Sequence, residues 1–99
     1  RGGIFCVEVD GVRVGMVQIF DQPDAVEIGE IQILPSYQGH GIGTRLLRDI
    51  IAQAHARCKK VTLSTGLKNH RAFQLYQRLG FRHVGQTDTH NLMACEPKA

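Results

Sequence analysis

The amino-acid sequence predicts an α/β (α+β) fold: a mixed, mostly antiparallel central sheet carrying helices, in the order β-β-β-α-β-α-β-β. Three observations predict it. Apolar, β-branched runs separated by turn residues fill the first third of the chain. After Pro35 the hydrophobic pattern changes to a helical period. Where the period changes stands a glycine-rich run, Gln38-Gly39-His40-Gly41-Ile42-Gly43.

Ile4 to Val9 reads as the first strand and stops at Asp10-Gly11, a dipeptide that favours a tight hairpin. The second strand follows through Val12, Val14, Val17, Ile19 and Phe20, and Asp21, Gln22, Pro23 and Asp24 make the next turn. A third strand runs from about Val26 to Leu34 and ends at Pro35, completing an antiparallel meander. Ile42, Leu46, Leu47, Ile50, Ile51, Ala54 and Cys58 then share one helix face, with Thr44, Arg45, Arg48, Asp49, Gln53 and Arg57 mostly on the other. Val61-Thr62-Leu63 is a short strand, reached by a connection expected to be a right-handed crossover. The second helix spans Asn69 to Leu79 and stops at Gly80, with Phe81 packing back onto Tyr76 in a Schellman stop. Strands near 82–87 and 92–95 close the fold, with a turn at Asp88.

The 99 residues make one domain, 1–99. An apolar fraction of 42% and a charged fraction of 21% are those of an ordinary globular chain. No apolar run approaches the roughly 20 residues of a membrane span, and the first residues do not read as a signal peptide, so no membrane partner is expected. The net charge of +3 is spread over Arg45, Arg48, Arg57, Lys59, Lys60, Lys68, Arg71, Arg78 and Arg82. That spread gives neither a basic stripe nor a stacking platform, so no nucleic acid is expected. Cys6, Cys58 and Cys95 lie far apart with no CxxC spacing, which argues against a disulfide framework or a zinc site and suits a reducing cytoplasm. His40, His55, His70 and His83 are scattered, and no metal is expected.

The glycine run lets the backbone turn tightly and point successive N–H groups outward. The helix behind it adds its own unpaired N–H groups and the positive end of its dipole, a setting for phosphate or pyrophosphate. The G-x-G-x-G spacing matches neither the dinucleotide fingerprint nor the P-loop. A second segment, Asn69 to Phe81, has the form N-x-x-A-x-x-x-Y-x-x-x-G-F. Its helical period puts Asn69 and Tyr76 on a shared face with Ala72 between them, a small residue that lets a ligand approach.

Together these stretches resemble the GCN5-related N-acetyltransferase (GNAT) superfamily. Ile31-x-Ile33-x-Pro35-x-x-Gln38-x-x-Gly41-x-Gly43 is similar to its acyl-CoA signature, and Asn69 to Phe81 to its second cofactor segment. The resemblance covers about residues 4–96. It implies a single acyl-CoA N-acyltransferase domain, short at its N-terminus, with acetyl-CoA as acyl donor and no metal. It implies that the loop amides of Gln38, Gly39, His40, Gly41, Ile42, Gly43 and Thr44 hold the CoA pyrophosphate. The backbone of Ile31 and Ile33 would pair with the pantetheine arm, which Asn69 would hydrogen-bond and Ala72 would line. Arg45, Arg48 and Lys68 are candidates for the adenosine 3′-phosphate.

The implied reaction is transfer of acetyl to a primary amine of a small molecule or protein by direct attack. Amines have pKa values near 10, so a base must take a proton, and the leaving thiolate benefits from an acid. A backbone N–H of the central strand could stabilise the oxyanion. Tyr76 is the family-matched acid. Glu27 holds the position of a catalytic carboxylate in several family members, and Glu30 is the other candidate base. Three residues apart, they would point to opposite faces of a regular strand. Asp88 and His90 could border the acceptor. The family architecture opens with a strand and two helices that wall the acceptor groove, whereas this chain reads from the second strand. That wall would come from a further segment or a partner subunit, or the acceptor site would be open. Apolar surface exposed there predicts self-association, as a homodimer. The alternative functions are a non-catalytic acyl-CoA-binding or regulatory module on the same fold, and an unrelated phosphate- or nucleic-acid-binding domain.

Overall fold

The computed structural model describes residues 2–97. Asp10 and Gly11 adopt φ values of 52° and 80°. Two consecutive left-handed residues are what a type I′ turn requires, and they join β1 (Gly2–Val9) to β2 (Val12–Asp21) in antiparallel pairing. A turn closed by a bond from Gln22 N to Ala25 O leads into β3 (Ala25–Ile33), antiparallel to β2. The chain continues through α1 (Ile42–Ala56), β4 (Lys60–Gly66), α2 (His70–Arg78), β5 (Arg82–Gln86) and β6 (His90–Cys95). The six strands form one sheet in the order β1-β2-β3-β4-β6-β5, in which only β3 and β4 run parallel.

The expected element order is the observed one, with two differences. The strand after α1 extends beyond Val61-Thr62-Leu63, because Ser64, Thr65 and Gly66 keep pairing with Leu92, Asn91 and His90 of β6. Ladder bonds, not an apolar run, hold that polar half in the sheet. Cys58 is not on the apolar face of α1: it lies past the helix end, exposed, at φ 60°. Cys58 N donates to His55 O and Lys59 N to Ala54 O, the bond pattern of a Schellman stop with cysteine where glycine is usual. The second helix stops as expected. Gly80 sits at φ 104°, Gly80 N donates to Gln77 O, Phe81 N donates to Tyr76 O, and the rings of Phe81 and Tyr76 meet edge to face at 5.7 Å.

Directly paired residues share a face of the sheet, so the register separates its two sides. Val17, Ile19, Val26, Ile28, Ile31, Val61, Leu63, Met93 and Cys95 fall on one side. There they join Leu47 and Ala54 of α1 and Phe73 and Tyr76 of α2 in a single core. Both helices therefore cover the same face. Leu47 is 2% exposed; truncating a leucine buried to this degree typically costs about 2–5 kcal/mol. On the opposite face, Ile4, Met16, Gln18, Phe20, Glu27, Glu30 and Gln32 meet no helix among the described residues. Among the described residues, no helix is long and apolar enough to cross a membrane.

The regular alternation of β3 breaks once. Ile28 pairs with Ile19 and Glu30 with Gln18, so Gly29 is an extra residue, a β-bulge. A Cβ at Gly29 would come within 2.6 Å of Gln18 Oε1 and 2.8 Å of the Phe20 ring. A charged clasp holds the far end of the meander. Arg57 donates to both carboxylate oxygens of Asp21 at 2.7 and 2.9 Å, and Lys59 Nζ donates to Oδ1 at 2.8 Å.

Two measurements check this account. A non-glycine left-handed residue costs about 1–2 kcal/mol, and glycine returns about 0.4–1 kcal/mol through unfolded-state entropy, so Cys58→Gly should raise stability by about 0.5–1 kcal/mol in a denaturant titration. The bonds from Lys59 and then Arg57 lower the Asp21 carboxyl below its ordinary pKa of 3.8. Its contribution is thus complete above 3.8 and is lost as the pH falls through the lower folded value. Asp21→Asn should melt slightly below the wild type at neutral pH, and the gap should close as the pH falls through the lowered folded value; a gap that persists in strong acid would exclude a charge role.

Candidate functional site

The site begins where β3 and β4 part. They are paired only over Ala25–Glu27 against Lys60–Thr62. Beyond that point β3 runs on to Ile33 with β2 on one edge and, among the described residues, no strand on the other, while β4 continues against β6. Ile31 and Ile33 therefore lie on a strand with one edge open towards the gap.

Past Pro35–Tyr37, a single 3₁₀ turn, the glycine loop leads into α1. Gln38 Nε2 donates to Ile33 O at 2.9 Å and ties the loop to the strand end. Gly39 and Gly41 take φ values of 82° and 76°, conformations costly for any residue with a Cβ. Gly41 occupies the N-cap of α1 without a side-chain cap, and the first helical bond runs from Arg45 N to Gly41 O at 3.0 Å. The first-turn N–H groups of α1 thus face outward without an internal acceptor, as the sequence requires of an anion site.

Facing the loop is α2. A cleft of about 540 Å³ runs between them, lined on the loop side by Ile33, Tyr37, Gln38, Gly39, Gly41, Ile42, Gly43 and Thr44, and on the helix side by Asn69, Arg71, Ala72, Leu75 and Arg78. Asn69 is the N-cap of α2: its Oδ1 accepts from Ala72 N at 3.2 Å. Its amide NH₂ group remains for a ligand. Nine of the expected cofactor residues thus line one cleft: Ile33, Gln38, Gly39, Gly41, Ile42, Gly43, Thr44, Asn69 and Ala72. Ile31 lies on an adjoining cavity of about 670 Å³ that shares Ile33 and Gln38 with the cleft. His40 is exposed in the loop and does not line either cavity.

The candidate catalytic groups are placed less simply. Tyr76 packs into the core from α2, and is not among the cleft residues. Burial pushes its phenol above the ordinary 10.0, so it keeps its proton at neutral pH. Glu27 is half-buried and accepts from Gln22 Nε2 at 3.1 Å; Glu30 is exposed and accepts from Gln32 Nε2 at 2.6 Å. The expectation that they point to opposite faces is overturned. Glu27 pairs with Phe20 and Glu30 with Gln18, two residues apart on one strand, so the bulge at Gly29 brings both carboxylates to the same, helix-free face. Arg45, Arg48 and Lys68 do not line the cleft; Arg71 and Arg78 do. The signal for the latter pair was their spacing with Leu75, an i, i+4, i+7 row beside Ala72. Asp88 and His90 are exposed at the β5–β6 turn, away from the cleft lining.

A strand that leaves its parallel neighbour, a glycine loop at its end and a helix cap across the gap thus meet at one open cleft of an α/β sheet. The family model described as "Acetyltransferase (GNAT) family" matches residues 1–81, and the chain belongs to that family. An uncharacterised N-acetyltransferase of Methanocaldococcus jannaschii is 36% identical over 87 residues, 80% of this chain and 38% of that protein. The chain thus spans well under half of that relative. Among solved structures, the ribosomal-protein-S18-alanine N-acetyltransferase of Escherichia coli superposes with a TM-score of 0.88 at 24% identity, covering 100% of this chain and 71% of the other. A GNAT family acetyltransferase from Elizabethkingia anophelis with acetyl-CoA bound gives a TM-score of 0.84 at 22% identity, over 96% of this chain and 76% of the other. These two likenesses show the fold.

A Cβ at Gly43 would meet no heavy atom within 4 Å, and alanine gains about 0.5–1 kcal/mol over glycine inside a helix. Gly43→Ala should therefore melt no lower than the wild type, which a thermal melt checks.

Proposed function

We propose that this chain carries the donor site and catalytic groups of an N-acetyltransferase that moves an acetyl group from acetyl-CoA to a primary amine of a small molecule or protein. The observation that carries the reading is the single cleft in which the uncapped N-terminus of α1, the glycine loop and the Asn69–Ala72 cap face one another. Its donors suit a pyrophosphate, and the unpaired edge of β3 that ends in it at Ile33 suits an extended arm. The main chain of the loop would hold the donor's phosphates, and the open edge of β3 at Ile31 and Ile33 would align the arm.

The chain's own groups then supply proton transfers. Glu27, half-buried on the helix-free face, is the leading base that takes a proton from the incoming ammonium, directly or through water, to give the attacking amine, and Glu30 lies on the same side to hold it. Tyr76 stays protonated at neutral pH and can donate to the departing thiolate. That an acceptor approaches from the helix-free face is supported by the position of both carboxylates there. Ile4 and Leu92, 63% and 37% exposed, support self-association or coverage of this face by further chain, in a cytoplasmic setting.

Acetyl-CoA at about 100 times its Kd should stabilise the protein by roughly 2.7 kcal/mol, several degrees in Tm for a domain of this size. Tyr76→Phe keeps the ring packed on Phe81, so it should bind acetyl-CoA as the wild type does and turn over a screened amine about 10–100-fold more slowly. Unchanged turnover would remove Tyr76 as the acid. No thermal shift with any CoA species would remove the donor assignment.

A further inference from the structure

Beside the donor cleft, and sharing Ile33 and Gln38 with it, lies the cavity of about 670 Å³ on which Ile31 also borders. The donor assignment gives its remaining walls no role. The register puts those walls on the helix-free face: Cys6, Met16 and Gln32 pair across β1, β2 and β3, and Arg13 pairs with Glu8 in the neighbouring row. Leu34 and Pro35 add apolar surface at the end of the strand. Arg13 is the one charged side chain among the described lining residues. Glu8 stands opposite it across the hairpin, yet no ion pair or side-chain hydrogen bond engages Arg13 among the described residues.

The opposite charge stands further along the same face. Gln32, in the cavity wall, donates from Nε2 to Glu30 Oε2 at 2.6 Å and so joins the cavity to the carboxylates of β3. Glu30 precedes Ile33 by three residues, and Arg13 lies two residues past Gly15, the partner of Ile33. At about 3.3 Å per residue the two stand roughly 16 Å apart along the sheet, and the reach of their side chains leaves about 10 Å for a ligand to span. Met16 lies in the row between them. A molecule laid along this face meets carboxylates at one end, an apolar stretch in the middle and a guanidinium at the other end.

Resting on the acetyltransferase reading proposed above, we infer that this cavity is the distal part of the acceptor site and that the acceptor is an extended zwitterion, with its amine at Glu27 and Glu30 and a carboxylate held by Arg13. The planar fork of arginine takes a carboxylate through two parallel bonds, whereas a second ammonium at that end would meet like charge. An ω-amino acid and a short peptide with a free C-terminus share this chemistry. Arg13 selects the acceptor and takes no part in the proton transfers or in the exchange of the donor's C–S bond for the N–C bond of the product.

The test compares kcat/KM of the full chain, at saturating acetyl-CoA, for 8-aminooctanoate, octylamine and 1,8-diaminooctane, and for triglycine and its C-terminal amide, in the wild type and in Arg13→Gln. In the wild type 8-aminooctanoate should exceed octylamine and 1,8-diaminooctane by about tenfold, the size of one charge-assisted contact in an open cavity. Arg13→Gln should bring the three within about twofold of one another and leave octylamine unchanged. A matching gap between triglycine and its amide supports a peptide as the source of the carboxylate; a gap confined to 8-aminooctanoate supports a free ω-amino acid. Cys6 gives a readout apart from turnover, because it is exposed in the cavity wall while Cys58 is exposed beyond α1. Saturating 8-aminooctanoate should slow alkylation of Cys6 by iodoacetamide, leave Cys58 as reactive as before, and lose the effect in Arg13→Gln. Equal use of 8-aminooctanoate and octylamine, a preference that survives in Arg13→Gln, or an unprotected Cys6 would overturn the inference and leave the acetyltransferase reading standing. A wild type that releases coenzyme A with none of these amines would overturn that reading and the inference with it.

Discussion

β3 and β4 are hydrogen-bonded over three residues each and then separate, and every feature of the site depends on that parting. A parallel pair joined along its whole length would leave no open edge for an extended ligand, and no gap for α2 to face across. The parting also carries a cost. Backbone groups on the free edge of β3 from Ile28 onward must find partners outside the sheet, and a buried amide left unpaired costs as much as a lost hydrogen bond. Water or an extended ligand arm can satisfy them.

The bulge at Gly29 acts on the same strand with a different result. One extra residue resets the alternation, so Val26 and Ile28 point into the core before it and Ile31 points into the core after it. The two carboxylates between them both emerge on the face without helices. Glycine is suited to the position because a side chain there would collide with Gln18 and Phe20. The strand thereby presents a core stripe to α1, an open edge to the cleft and a pair of carboxylates to the opposite face.

Charge is divided along the chain in the same sense. Residues 2–44 hold Glu8, Asp10, Asp21, Asp24, Glu27 and Glu30 against Arg13, whereas 50–87 hold only basic charge. The fold sets these halves side by side in one sheet. The Asp21 clasp to Arg57 and Lys59 is where they meet. Positive potential thus concentrates on the helical side of the cleft, the arrangement that raises the local concentration of an anionic ligand.

The elements and the geometry of the glycine loop were legible in the sequence because they rest on local chemistry. Asp10-Gly11 requires a left-handed pair, Gly80-Phe81 requires a Schellman stop, and three glycines before an amphipathic run require an exposed helix N-terminus. None of these depends on what lies across the sheet. The common face of Glu27 and Glu30 does depend on it, since a bulge is defined by the partner strand's register and β3 alone reads as regular. The placement of Arg71 and Arg78 in the cleft, of Tyr76 against the core and of Cys58 beyond its helix likewise follows from how α1 and α2 dock. Side-chain period restricts a helical residue to a face, but which face meets the core and which meets the cleft is settled by packing between segments distant in sequence.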